Sequence, residues 1–168
     1  MAAAKDTLWD RAERTLVGLL GALALIVGLA QVVGRYFFPA DAISWAEEVI
    51  VYLIVWAVMI VSSQLVRLDG HVRPDVVLRL LRPQVQRWLE VFNCLVALVF
   101  CGGLVWYGWQ IVNTSWLLDE RSSTGLSFPM YLYYAALPAG SALMVVRYAI
   151  RLVRYLFYFD PATMSVGD

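Results

Sequence analysis

The chain has 168 residues, and its composition is that of a membrane protein, with 61% hydrophobic residues, 15% charged residues and a mean hydropathy of +0.69. Soluble domains carry about a quarter charged residues. A formal net charge of zero argues against a nucleic-acid binder, which needs a basic surface to meet phosphates. Two cysteines, Cys94 and Cys101, make no disulfide framework. They sit in one apolar run and are expected to share a helix face as packing residues.

In chain order, residues 1–14 form a polar leader, with Lys5, Arg11 and Arg14 set against Asp6, Asp10 and Glu13. The leader is too acidic, and the next apolar run too long, for a cleaved signal peptide. The first span is expected at about 15–38, ending in the interfacial aromatics Tyr36, Phe37 and Phe38. Ala24 and Gly28 make a small-xxx-small pair at which another helix can come close. A turn at Pro39-Ala40-Asp41 leads to Ser44, an N-cap candidate with Glu47 at capping-box spacing. The second span is expected at about 44–66, ~33 Å at 1.5 Å per residue, enough for the hydrocarbon core.

Residues 67–87 break the apolar pattern. Asp69-Gly70 is a turn signal. From Pro74 to Arg82, Val76, Val77, Leu80 and Leu81 share one face, with Arg73, Arg79 and Arg82 away from it. A stretch this short cannot cross a bilayer, but it can lie on one, arginines toward headgroups. Arg79, Arg82 and Arg87 are therefore expected at the lipid surface. The third and fourth spans are expected at about 88–112 and 128–146. Pro138 is internal to the fourth and is expected to kink it. The four-span membrane domain thus covers 15–154, followed by a tail at 155–168.

Arginine and lysine set the orientation. Of the 13, only Arg35 and Arg121 fall on the side that holds Glu47. Such a bias predicts both termini and the middle loop in the cytoplasm. The expected fold is an all-α integral membrane protein with four transmembrane helices, N-in and C-in, and a short amphipathic surface helix between spans two and three.

No catalytic constellation is present. His71 is the only histidine and lies in the middle loop, which excludes bis-histidine haem ligation. The cysteines do not suit a thiol oxidoreductase, and no glycine-rich phosphate loop occurs. Glu47 and Glu48 project about 100° apart on a helix, so they do not converge on a metal. No enzyme activity, catalytic residue, substrate-binding residue, metal or cofactor is expected. Glu47 reads as a helix cap favoured by the macrodipole. Glu48 reads as a polar contact to Arg35 or to a second chain, with proton or ion coupling as the other possibility. Gly70, His71 and Arg73 read equally as a solvated turn or as a lipid- or partner-contact turn.

The pattern resembles a known family. Trp45, Glu47 and Glu48 opening span two, and the turn Gly70, His71, Arg73, Asp75 after it, are similar to the small membrane subunit of tripartite ATP-independent periplasmic (TRAP) transporters. The fourth span agrees in Pro129 and Tyr134 at its start and Leu137, Pro138 and Gly140 at its centre. Pro74 departs from the aliphatic residue usual there. The likeness runs from about residue 10 to 155. It implies an accessory permease subunit in the bacterial inner membrane. The large membrane subunit would bind and move an organic acid with sodium, and a periplasmic binding protein would deliver it. The small subunit would anchor the large one's fixed scaffold. Membrane lipids are the remaining implied partner.

Two competing readings remain. A self-contained homo-oligomeric small transporter, channel or exporter would need a membrane-embedded acid, for which Glu48 is the candidate. A membrane enzyme would need reactive groups that the sequence lacks.

Overall fold

The structure is a computed structural model that describes residues 8–37, 44–67 and 83–157. Four of its helices are long and apolar enough to cross a membrane. Helix α1 spans Leu8–Phe37, α2 Ala46–Arg67, and α3 Pro83–Leu117. The fourth crossing is two consecutive helices, α4 (Met130–Tyr134) and α5 (Ala136–Phe157).

The helices outrun the expected spans. α1 begins at Leu8, within the stretch assigned to a separate polar leader. α3 has 35 residues, ~52 Å of helix against a hydrocarbon core of ~30 Å, so its ends stand in the headgroup layers. α5 continues through the arginines to Phe157. Apolar composition marks only the part of a helix in hydrocarbon. The helical backbone continues wherever charged side chains at its ends find partners on neighbouring helices. The residues of the expected surface helix lie outside the described ones.

The interruption at Ala135 has a local cause. Pro138 has no N–H for the carbonyl of Tyr134, and its ring crowds that carbonyl. The helix resumes with Ala139 N–H donating to Ala135 O at 3.1 Å, while Trp56 Nε1 on α2 donates to Leu132 O at 3.2 Å.

Among the described residues, α1 packs along α2, α2 along α5, and α5 along α3. Contacts such as Ser63 with Glu13 and with Arg147 fix the directions: α1 antiparallel to α2, α2 parallel to α5, and α3 antiparallel to α5. The start of α1, the ends of α2 and α5 and the start of α3 therefore share one end of the row. Arg11, Arg14, Arg67, Arg87, Arg147, Arg151 and Arg154 are all at that end, and Arg35 and Arg121 are at the other.

Small residues permit the closest crossings. Ala24 is buried, and Gly28 lies near Ile50 Cδ1 on α2. At the α2–α5 crossing, a Cβ on Gly140 would meet Met59 Cβ at 2.6 Å and Met59 O at 2.9 Å, so only glycine fits. Cys94 and Cys101 are both buried.

Candidate functional site: paired charges at one end, a latched loop at the other

At the arginine-rich end, buried acids on α1 and α3 pair with partly buried arginines on α2 and α5. Asp10 and Glu13, one turn apart on α1, are 1% and 6% exposed. Asp10 Oδ2 accepts from Arg67 Nη1 at 2.8 Å, and its Oδ1 accepts from Arg147 Nη2 at 3.1 Å. Glu13 Oε2 accepts from the same Arg147 nitrogen at 2.5 Å, and Glu13 Oε1 accepts from Trp9 Nε1 at 2.5 Å. Arg147 Nε donates to Ser63 Oγ at 2.7 Å, which places α5 against both α2 and α1. Gln64 Nε2 donates to Asp10 O at 3.3 Å. The Trp9 ring lies 5.5 Å from the guanidinium carbon of Arg147.

A second pair joins α5 to α3, with Arg151 Nη2 donating to Glu90 Oε2 at 2.9 Å. Arg87 turns onto the end of α5, donating to Tyr155 O at 2.9 Å and Leu156 O at 2.6 Å. The last carbonyls of a helix have no intrahelical donors, which makes them natural acceptors for an arginine. Among the described residues, two carboxylates, Asp10 and Glu13, face two guanidiniums, Arg67 and Arg147. An ionisable group at membrane depth costs several kcal/mol when unpaired. Here each carboxylate is covered by a guanidinium.

The other end holds the acids singled out in the sequence. Ser44 and Trp45 form the turn into α2, with Val49 N–H donating to Trp45 O at 3.2 Å. Glu47 is exposed in the first turn of α2 and accepts from Gln31 Nε2 of α1 at 3.0 Å. Glu48 accepts from Tyr52 Oη one turn along and from Thr124 Oγ1 in the loop between α3 and α4. Its contact is thus within the chain rather than with Arg35. The Tyr52 hydroxyl oxygen also lies 3.3 Å from Met130 Sδ, and its ring lies 5.0 Å from Phe128 and 4.8 Å from Tyr133. Gly70, His71, Arg73, Asp75, Arg79 and Arg82 lie outside the described residues.

Sequence reasoning missed the charge cluster. Its members are far apart in the chain, Asp10 and Arg147 by 137 positions. The available signal was the helical spacing of Asp10 with Glu13 and of Arg147 with Arg151, each of which places two charges on one helix face.

No group of three or more metal-ligating side chains occurs among the described residues. Among the described residues, open hollows lie between the helices. One, of about 370 Å³, is apolar and bounded by Trp9, Leu16, Trp56, Ile60 and Leu143. Another, of about 390 Å³, is bounded by Tyr107, Gln110, Thr114, Ser115, Glu120 and Tyr134.

Residues 24–157 match the family described as tripartite ATP-independent periplasmic transporters, DctQ component. The chain belongs to this family. Similar proteins include the C4-dicarboxylate TRAP transporter small permease proteins DctQ of Rhodobacter capsulatus, Pseudomonas aeruginosa and Vibrio cholerae. The first is 26% identical, over 83% of this chain and 74% of its own length. The second is 29% identical, over 70% of this chain and 57% of its own length. The third is 27% identical, over 83% of this chain and 68% of its own length. These relatives are transporter subunits, and a DctQ component implies a TRAP complex with a large membrane subunit and a periplasmic binding protein. With four membrane-length helices, this DctQ component is a multi-pass protein of the bacterial inner membrane.

Proposed function

We propose that the chain is a non-catalytic accessory subunit of a sodium-coupled TRAP importer of organic acids, anchoring the fixed scaffold of the large membrane subunit. The observation that carries this reading is the pairing of Asp10 and Glu13 with Arg67 and Arg147, and of Glu90 with Arg151, inside the chain. Charges committed to holding helices together are not available to bind a carboxylate substrate or to relay an ion. They stiffen the row instead, which is what an anchor for a moving partner requires. The relatives' names support C4-dicarboxylates as the substrate class of the complex, and in this reading its other subunits recognise them.

The arginine-rich end faces the cytoplasm in this reading, with both termini and the surface helix at about 74–82 on that side. The basis is the positive-inside bias of the arginines. The large subunit forms a stable complex with this chain, and the binding protein docks from the opposite side. The alternative of a self-contained exporter is disfavoured because the carboxylate of Glu48 is engaged by Tyr52 and Thr124.

The test is extraction of the intact chain in mild detergent, followed by reconstitution. The expected result is co-purification of a much larger membrane protein, and dicarboxylate uptake only when that protein and the binding protein are both present. Uptake by this chain alone in liposomes would overturn the reading.

A further inference from the structure

At the end of the row opposite the arginine cluster, α3 and α4 border the hollow of about 390 Å³. Tyr107, Gln110 and Thr114 line it from one face of α3, Tyr134 from α4, and Glu120 from the loop that connects them. The backbone of Glu120 is held on both sides. Its N–H donates to Ser115 O at 3.0 Å, and its O accepts from Met130 N–H at 2.9 Å. Its carboxylate accepts from Tyr134 Oη at 3.4 Å and makes no ion pair among the described residues. The neighbouring Arg121 is engaged by both carboxylate oxygens of Asp119, at 3.2 and 3.1 Å. Ser115 is the buried member of the lining, 2% exposed, and its Oγ has no hydrogen-bond partner among the described residues. A buried hydroxyl is costly to leave unpaired. Trp106, Trp109 and Trp116 are exposed along the same end of α3. Tryptophan gathers at headgroup level, so the hollow lies at the boundary of membrane and water.

We propose that this hollow binds a primary ammonium group, with Glu120 as its counter-charge. An ammonium carries three N–H donors and no acceptor. Glu120, the hydroxyls of Ser115 and Thr114 and the amide oxygen of Gln110 are acceptors for them. The rings of Tyr107 and Tyr134 suit the carbons beside the nitrogen, and the face of an aromatic ring attracts a cation. An anion does not fit, because Glu120 repels it and no arginine or lysine among the described residues lines the hollow. A divalent metal ion fits poorly, since it takes six or more oxygen ligands and usually more than one carboxylate. Two carriers bring a primary ammonium to this depth, the ethanolamine headgroup of a phospholipid and a small soluble amine. Neither the transport role nor the orientation enters, because headgroups line both faces of a bilayer.

The test uses the whole complex, extracted in mild detergent and stripped of loosely held lipid. It is titrated separately with phosphatidylethanolamine, phosphatidylglycerol and isotopically labelled ethanolamine, and bound ligand is counted by native mass spectrometry. Glu120→Gln, Ser115→Ala and Leu118→Ala are compared with wild type; Leu118 lies outside the hollow and controls for general loss of lipid. Glu120 is exposed and ties no helices by an ion pair, so its replacement is expected to leave the melting temperature unchanged. Glu120→Gln is expected to weaken the ammonium ligand about tenfold and Ser115→Ala about threefold, with phosphatidylglycerol unaffected. The tighter of phosphatidylethanolamine and free ethanolamine in wild type names the carrier. Binding of both unchanged in Glu120→Gln and in Ser115→Ala overturns the site, as does an equal loss in Leu118→Ala. Phosphatidylglycerol weakened as much as phosphatidylethanolamine overturns the ammonium chemistry. A zero-length carbodiimide cross-link from Glu120 to a lysine of another subunit also overturns the site, because a protein side chain then holds that carboxylate.

Discussion

Replacing Arg147 with methionine keeps the length and apolar stem of the side chain and removes its charge. Three hydrogen bonds go with it, to Ser63, Asp10 and Glu13. Asp10 retains Arg67, and Glu13 retains Trp9 and Ser63, so neither acid is left bare. The cluster nevertheless changes from balanced to one net negative charge at sites almost closed to solvent. Removing one partner of a buried pair costs about 3–5 kcal/mol, and the remaining contacts favour the lower end, ~3 kcal/mol. At about 2–4 °C per kcal/mol for a chain of this size, the melting temperature of the detergent-solubilised complex should fall by roughly 6–12 °C. Glu13→Gln in the same chain restores neutrality, and the double variant should recover ~1–2 kcal/mol of that loss. Glu13→Gln alone should cost less than Arg147→Met, since Arg147 keeps Asp10 and Ser63. The assay is thermal unfolding followed by tryptophan fluorescence. An Arg147→Met variant as stable as wild type, or a double variant no better than Arg147→Met, would refute the account of the cluster as a balanced clasp.

Gly140→Ala should destabilise by about 1–3 kcal/mol, because its new Cβ meets the backbone of Met59. Gly102→Ala, with nothing within 4 Å of the new atom, should be neutral or gain up to ~1 kcal/mol, and similar melting temperatures for the two would argue against the crossing geometry. Arg87→Met should fray the end of α5 at a cost of about 1–3 kcal/mol, seen as faster amide exchange at residues 154–157 with the rest of α5 unchanged. Cys101→Ser should cost about 1–3 kcal/mol, because it adds a more strongly polar hydroxyl at a buried site, measured as a lower melting temperature.

The four crossings were legible because hydrocarbon demands long apolar runs, and such runs announce themselves locally. The limits of each helix were not, since Leu8 to Arg14 reads as a solvated leader until Arg67 and Arg147 are known to lie beside it. A pairing such as Asp10 with Arg147 carries no neighbour-to-neighbour signal. Glu48 shows the same limit in reverse. Its chemistry suggested a polar contact, but the partner, Thr124, lies in a loop whose course depends on how α3 and α4 are placed. Gly140 was noted as part of a motif, and only the crossing against Met59 explains why that position excludes a side chain.

The single-file order α1–α2–α5–α3 has a consequence for the surroundings the chain can tolerate. Only 6% of the membrane window of α1 is buried within the chain, and 22% of that of α3. In water, two such apolar walls back to back would drive immediate aggregation, because nothing offsets their contact with solvent. In a bilayer the same layout costs little, since lipid tails wet a leucine wall as readily as another helix does. A palisade one helix thick also has the widest frontage for its number of residues. One wall can be covered by a large neighbour while the opposite wall stays in lipid, so the neighbour's membrane footprint grows by a full row of helices without enclosing a cavity between them.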